Sequence, residues 1–216
     1  MDKLFINLKL KSPTLIGSGE GWGSLIDTDI VYDDLGLPSF PARRLKGLLR
    51  ESALEVMEMF DASESNLFNK DIIDHLFGTP QKAGAAAFCN LNLEGYAEAQ
   101  PWLEWAFDKY SDLVSAETVI DTLTEIRQQT AIDGSTGTAK ESSLRTLRLL
   151  NKGLSFAGPV DGNIGGLELD LLALACANLR HVGSSRNRGL GEVSCLLTFE
   201  GEDWTSKALR RVKGDA

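Results

Sequence analysis

Cysteine and histidine are scarce in this sequence, and the scarcity narrows the chemistry open to it. The three cysteines, Cys89, Cys176 and Cys195, are far apart and odd in number, so they form neither a Cys-x-x-Cys pair nor a disulfide set and read as reduced core residues of a cytoplasmic protein. The two histidines, His75 and His181, lack His-Glu-x-x-His spacing and cysteine companions, which argues against a structural zinc site. No Gly-x-Ser-x-Gly elbow accompanies them, so a serine hydrolase is also set aside. A Walker-type phosphate loop is missing. The glycines at 17, 19, 21 and 23 do not supply the third glycine of a dinucleotide fingerprint, and an extended segment follows them instead of a helix. No apolar run approaches the ~20 residues that span a bilayer, and the N-terminus lacks a signal-type apolar region. Positive charge is in deficit as well: 22 Lys+Arg stand against 31 Asp+Glu, which argues against a generic basic nucleic-acid binder and a charge-driven membrane-surface protein.

What is present is a chain of 216 residues, 43% hydrophobic, enough to bury a sizeable core in one decorated domain spanning 1–216. The charge deficit is local. Residues 1–60 carry 7 basic and 9 acidic side chains, 61–140 carry 5 and 13, and 141–216 carry 10 and 9. In KLFINLKLK, residues 3–11, Leu4, Ile6, Leu8 and Leu10 alternate with polar residues and predict a strand. After Pro41, Leu45, Leu48, Leu49, Val56 and Phe60 form the stripe of a core-facing helix. Residues 85–93 predict a strand, and the segment around Trp102 and Trp105 an acidic, partly helical insertion. LRTLRLLNKGLSFAG reads as strand, glycine break and strand, LELDLLALACANLRHV as a second, well-buried helix, and the segment after 183 as a glycine- and arginine-rich loop with a final strand. The order strand, helix, two strands, helix, strand predicts an α+β fold of ferredoxin-like, RNA-recognition-motif type.

Two clusters suit a phosphate. Arg43, Lys46, Gly47 and Arg50 follow helical i, i+3, i+4, i+7 spacing and stack three cations beside a residue without a side chain, near a helix N-terminus. Arg186 and Arg188, set beside Gly189 and Gly191, offer guanidinium forks and bare backbone N–H groups. Asp133-Gly-Ser-Thr-Gly-Thr is a turn signal between extended runs, the tip of a hairpin.

Three segments carry a family resemblance: GLPSFPARRLKGLLRE (36–51), TAIDGSTGTAKESSLRTLRLLNKGLSFAG (130–158) and GSSRNRGLGEV (183–193). In this order they resemble the RAMP superfamily of CRISPR-associated proteins, with its Leu-Lys-Gly-x-x-Arg helix, its Ile-Asp-x-x-Thr-Gly hairpin and its terminal Arg-Gly-Leu-Gly loop. The chain is most similar to the repeating backbone subunit of type III effector complexes. That resemblance implies a ferredoxin-like palm that holds CRISPR guide RNA and a β-hairpin thumb at about 130–150 that displaces a nucleotide; the acidic insertion, at about 94–129, is the feature it explains least. For the thumb it points to Ile132, Gly134, Thr136, Gly137 and Leu144, with Ile132 and Leu144 as wedges between nucleotides. It also implies a loop aspartate that cleaves complementary target RNA. Asp27 is the positional match, and Asp29, on the same face of an extended chain, is the second candidate. One carboxylate is a thin site for Mg²⁺ or Mn²⁺, so the metal at Asp27 would arrive with RNA bound. Implied partners are guide RNA, target RNA and other effector subunits, including copies of the chain or related RAMP proteins, and no membrane. Two alternatives stand beside this reading: a non-catalytic structural RAMP subunit, and a metal-independent CRISPR-RNA processing endonuclease that uses a histidine.

Overall fold

The computed structural model describes residues 4–19, 26–140 and 142–213. Gly21, Gly23 and the rest of 20–25 lie outside the described residues. The alternating N-terminal segment is β1 (Leu4–Leu10), with Leu4, Ile6, Leu8 and Leu10 all buried. An irregular ribbon leads through β2 (Ser39–Phe40) to α1 (Ala42–Ala62), which starts directly after Pro41 and buries Leu45, Leu49, Ser52, Ala53 and Val56. Next comes α2 (Lys70–Phe77), capped by the Asn69 side chain, which accepts the Ile72 N–H at 3.0 Å. The Leu-Phe-Gly-Thr-Pro break holds the small hairpin β3 (Gly78–Thr79) and β4 (Lys82–Ala83). The strand expected at 85–93 is split into β5 (Ala87–Phe88) and β6 (Leu91–Leu93). The insertion supplies α3 (Tyr96–Lys109) and α4 (Ala116–Leu123), followed by β7 (Thr124–Gln129), β8 (Arg145–Leu150) and β9 (Ser155–Asp161). Last are α5 (Gly166–Asn178), a single 3-10 turn at Arg186–Arg188, β10 (Val193–Phe199), β11 (Glu202–Asp203) and α6 (Trp204–Lys213).

The result is a mixed α/β fold with six helices among the described residues and an antiparallel main sheet in the order β11-β10-β1-β9-β6-β2, with β5 also on β9. Leu8 sits opposite Cys195 on one side and Phe156 on the other, so the alternation of β1 sets the apolar face of its neighbours. The middle of α5 is enclosed on all sides: Leu169 to Cys176 are buried without interruption between α1, α6 and β10, with Asp170 the one charged residue among them. Ser52 is a polar residue in that interface, and its hydroxyl donates to the Ala175 carbonyl at 2.8 Å. No described helix is long and apolar enough to cross a membrane.

The insertion is fastened to the loop that precedes α1. Asp33 accepts the backbone N–H groups of Leu35 and Leu37 at 3.0 and 2.9 Å and the Tyr96 hydroxyl at 2.9 Å. That last bond, ahead of burial, raises the Tyr96 phenol above its ordinary range. Gly36 has φ +78°, and a Cβ there would lie 2.2 Å from the Ala116 carbonyl oxygen, so the loop meets the start of α4 only through a residue without a side chain.

Candidate nucleic-acid interface

The hairpin is longer at its base than the turn signal indicates. β7 falls inside the stretch expected to be insertion, yet it pairs antiparallel with β8 from Thr124 opposite Leu150 to Gln129 opposite Arg145. The insertion therefore gives way to the hairpin at 124. Its tip is a turn of small residues in which the Asp133 carboxylate accepts the Ser135 N–H at 2.8 Å and the Gly137 N–H donates to the Asp133 carbonyl at 2.8 Å. Hydrogen bonds from the Ser135 hydroxyl first, then from backbone N–H groups, hold the Asp133 carboxyl below its usual value. Gly137 takes φ +69°, and Gly134 and Thr136 complete the exposed tip. Ile132 and Leu144 are 72% and 61% exposed, so both wedge candidates stand free of the core.

The loop carrying the two aspartates runs beside β8. The Asp27 N–H donates to the Thr146 carbonyl at 2.9 Å, and the Thr146 N–H donates back to Asp27 Oδ2 at 2.7 Å. Thr28 bridges Leu147, and the Arg148 N–H donates to the Thr28 carbonyl at 3.1 Å. Asp27 is exposed, whereas Asp29 is only 4% exposed. The expectation that the two share a face is corrected: Asp29 turns inward, accepts the Ile30 N–H at 2.8 Å and lies 3.2 Å from Arg148 Nε. That ion pair is a contact of charges without an aligned hydrogen bond, since the buried Nε–H has no acceptor in line. Arg148 Nη1 donates to Asp121 of α4 at 2.6 Å and to the Thr124 hydroxyl at 3.3 Å. Arg148 thus joins loop, insertion and hairpin. Hydrophobic patterning hides it, because a buried arginine inside Leu-Arg-Leu-Leu looks like any solvent-facing strand residue.

The two arginines of the terminal loop separate. Arg188 faces the hairpin, with Nη1 3.4 Å from Gln129 Oε1, while Arg186 lines a small hollow of about 130 Å³ with Leu48, Glu51 and His181. Gly189 has open space where a Cβ would be, but Gly191 does not: its Cβ would lie 2.0 Å from the Val182 carbonyl oxygen, and its N–H already donates to Pro13 at 3.0 Å. Gly191 is a close-approach residue whose N–H is spent within the fold, contrary to the expected bare donor.

On α1, Arg43 is exposed and Lys46 half-buried, and a Cβ at Gly47 would touch nothing. Arg50 is committed elsewhere, with Nη2 2.7 Å from Asp74 of α2. The helix face is therefore three cations rather than four when the adjacent, exposed Arg44 is counted, and it lies outside the larger groove.

That groove, about 640 Å³, is lined by Thr28 from the aspartate loop, by Lys140, Arg145 and Leu147 from the hairpin, and by Ser184 and Arg188 from the terminal loop. Segments more than a hundred residues apart in sequence meet here. Lys140, Arg145 and Arg188 are exposed and have no acidic partner among the described residues. Asp27, next to Thr28 and bonded to Thr146, borders the same space. Lys140 and Arg145 were not singled out by their local sequence, whose composition is that of an ordinary polar turn.

The sequence profile of the RAMP superfamily matches residues 7–194. The chain belongs to the RAMP superfamily. No curated protein sequence matches it. Among solved structures, this RAMP fold is similar to a chain of the type III-B Cmr-beta complex in its apo state, with a TM-score of 0.66 and 15% identity over 94% of this chain and 98% of that one. It is equally similar to a chain of Cmr-beta bound to cognate target RNA, with a TM-score of 0.66 and 14% identity over 96% and 98%. For this RAMP protein the likeness establishes the fold.

Proposed function

We propose that this RAMP protein is a subunit of a type III CRISPR effector complex that binds guide RNA and cuts complementary target RNA at Asp27. The observation that carries the reading is the groove in which the aspartate loop, the hairpin and the terminal arginine loop meet. The strand order β10-β1-β9-β6, with α1 and α5 as its crossovers, supports a ferredoxin-like palm, and β7–β8 with its exposed tip supports a thumb. Partners are guide and target RNA and neighbouring subunits, copies of this chain or related RAMP proteins among them.

Lys140, Arg145 and Arg188 would contact phosphates, which position RNA without reading its sequence. Ile132 or Leu144 would part adjacent bases, turning a 2′-hydroxyl toward in-line attack that a regular helix prevents. In the cleavage step the 2′-oxygen bonds to phosphorus while the bond to the 5′-oxygen breaks, leaving a 2′,3′-cyclic phosphate and a 5′-hydroxyl. The Thr146 N–H holds Asp27 Oδ2, which leaves Oδ1 to face the RNA. Among the described residues no cluster of three metal-ligating side chains exists, so Asp27 would hold Mg²⁺ or Mn²⁺ together with phosphate oxygens and water, a ligand set that suits Mg²⁺. The metal, when bound, supplies charge stabilisation at the scissile phosphate. Asp29 has no part in this, being buried against Arg148.

The lone carboxylate also favours a second reading, an RNA-binding RAMP subunit without nuclease activity. The processing-endonuclease alternative has less support, because neither histidine lines the groove: His75 is paired with Glu168 on the α2–α5 side, and His181 lies in the small hollow beside Arg186. The assembled complex, given labelled complementary RNA and Mg²⁺, separates these readings. Asp27→Ala should reduce cleavage by about 100-fold or more, as loss of a metal-dependent step does, and leave target binding within a few-fold; EDTA should do the same. Unchanged products from Asp27→Ala would refute the assignment, and an inactive wild type would establish the second reading.

A further inference from the structure

The segment that carries Asp27 has little structure of its own. Residues 26–30 make isolated bridges instead of a strand, so the place of the carboxylate depends on what holds them. Residues 29–31 are tied back to 16–18, where the Ser18 N–H donates to the Asp29 carbonyl at 2.7 Å and the Val31 N–H to the Ile16 carbonyl at 3.2 Å. Asp27 and Thr28 lie instead on β8, through the bonds to Thr146 and to the Arg148 N–H.

Arg148 follows Thr146 by two residues, on the same face of β8, with its side chain only 9% exposed. One edge of the guanidinium faces the aspartate loop, where Nε is 3.2 Å from Asp29 Oδ1 without an aligned hydrogen bond. The aligned bonds point the other way, from Nη1 to Asp121 Oδ1 at 2.6 Å and to the Thr124 hydroxyl at 3.3 Å. Both acceptors belong to the end of α4: Asp121 to its last turn, Thr124 to its C-cap. That end is itself fixed beside the strand, since the Asn151 N–H donates to the Leu123 carbonyl at 3.0 Å and the Asn151 side chain to the Thr122 carbonyl at 3.2 Å. A guanidinium is a planar, rigid fork, so hydrogen bonds that fix Nη1 fix Nε as well. The charge that faces Asp29 is therefore aimed from α4. We infer that Arg148, braced by Asp121, is the positioning residue for Asp27, and that the acidic insertion, through α4, sets where the Asp27 carboxylate stands in the groove. The inference rests on cleavage at Asp27 as proposed above; Arg148 acts through the loop and not on the RNA.

Two measurements test it. Amide exchange of the free, full chain reads the loop: Asp121→Ala should speed exchange of the Asp27, Thr28, Thr146 and Arg148 amides several-fold and leave those of β1 unchanged, because only a local opening is made easier. In the assembled complex, at saturating target RNA with Mg²⁺, the same variant should lower the single-turnover cleavage rate by about 10- to 100-fold, as small misplacements of reacting groups do, with target affinity within a few-fold of wild type. The Asp121 side chain is 67% exposed, so the fold survives its removal. Asp121→Asn, which keeps an oxygen for Nη1, should recover most of both readings. Asp108→Asn, which removes the same charge from an exposed position on α3, should change neither. Arg148→Lys, which keeps the charge and loses the fork, should match Asp121→Ala. Unchanged exchange in Asp121→Ala would overturn the brace, faster exchange with an unchanged cleavage rate would overturn the positioning of Asp27, and a target affinity that falls as far as the rate would overturn it in favour of a role in binding. A wild-type complex that does not cut would overturn the cleavage reading itself, and the exchange comparison still decides the brace.

Discussion

Two aspartates two residues apart have opposite fates, and burial decides between them. Asp27 is open to solvent and held at one oxygen, whereas Asp29 is buried against Arg148. Removing one partner of a buried pair leaves the other charge uncompensated. Asp29→Ala should therefore cost about 3–5 kcal/mol of stability, and Asp27→Ala less than about 1 kcal/mol, the range for exposed positions. Denaturant midpoints test this, and equal losses would contradict it. A second buried carboxylate, Asp170 on α5, lies 3.3 Å from Arg211 of α6. Burial raises its pKa above 3.8, and the Arg211 charge only partly opposes that. The folded state thus holds the proton more tightly than the unfolded chain, so the stabilisation it gives is full below 3.8 and is lost as pH rises through the folded value. Relative to wild type, Asp170→Asn should gain in melting temperature as pH rises above that point. A difference that stays constant with pH, or moves the other way, would contradict the assignment.

At the scale of elements, the hairpin tip is self-contained. The Asp133 N–H bonds Thr138 and the Lys140 N–H bonds Ala131, at 2.8 and 2.7 Å, and the tip contributes nothing to the core. Deleting Ser135 to Thr138 should leave thermal unfolding unchanged, since such tips tolerate length changes. Cleavage should fall more than RNA binding. Full cleavage by the folded, shortened protein would exclude a thumb, and a collapsed fold would show that the hairpin is structural. The elements legible in sequence were those with strong periodicity and burial: β1, α1 and α5. β7 was missed because Thr-Glu-Ile-Arg-Gln-Gln carries a single apolar residue, Ile126, which is itself 52% exposed. α6 was missed although it has a start signal: Asp203 accepts the Thr205 N–H at 2.9 Å and the Ser206 hydroxyl at 2.7 Å, ahead of Trp204, Ala208 and Val212 at four-residue spacing. The bond from the Tyr96 hydroxyl to Asp33 joins residues 63 apart in sequence. No local pattern encodes such a contact.

For the molecule as a whole, a net charge of −9 conceals a division of surfaces. The carboxylates gather on the insertion, while the groove carries Lys140, Arg145 and Arg188 without acidic partners among the described residues. The motifs were visible in the sequence, but their convergence was not, because it depends on the loop at 26–30 lying along β8. The central claim is that this groove holds RNA by its phosphates, and the salt dependence of RNA affinity tests it most directly. Each lost phosphate contact lowers the slope of log affinity against log salt by about 0.7 for a single strand. Lys140→Ala, Arg145→Ala and Arg188→Ala combined should lower that slope by about 2, from that increment, and weaken unrelated RNA sequences alike. An unchanged slope and affinity, with the fold intact, would place the RNA elsewhere on the molecule.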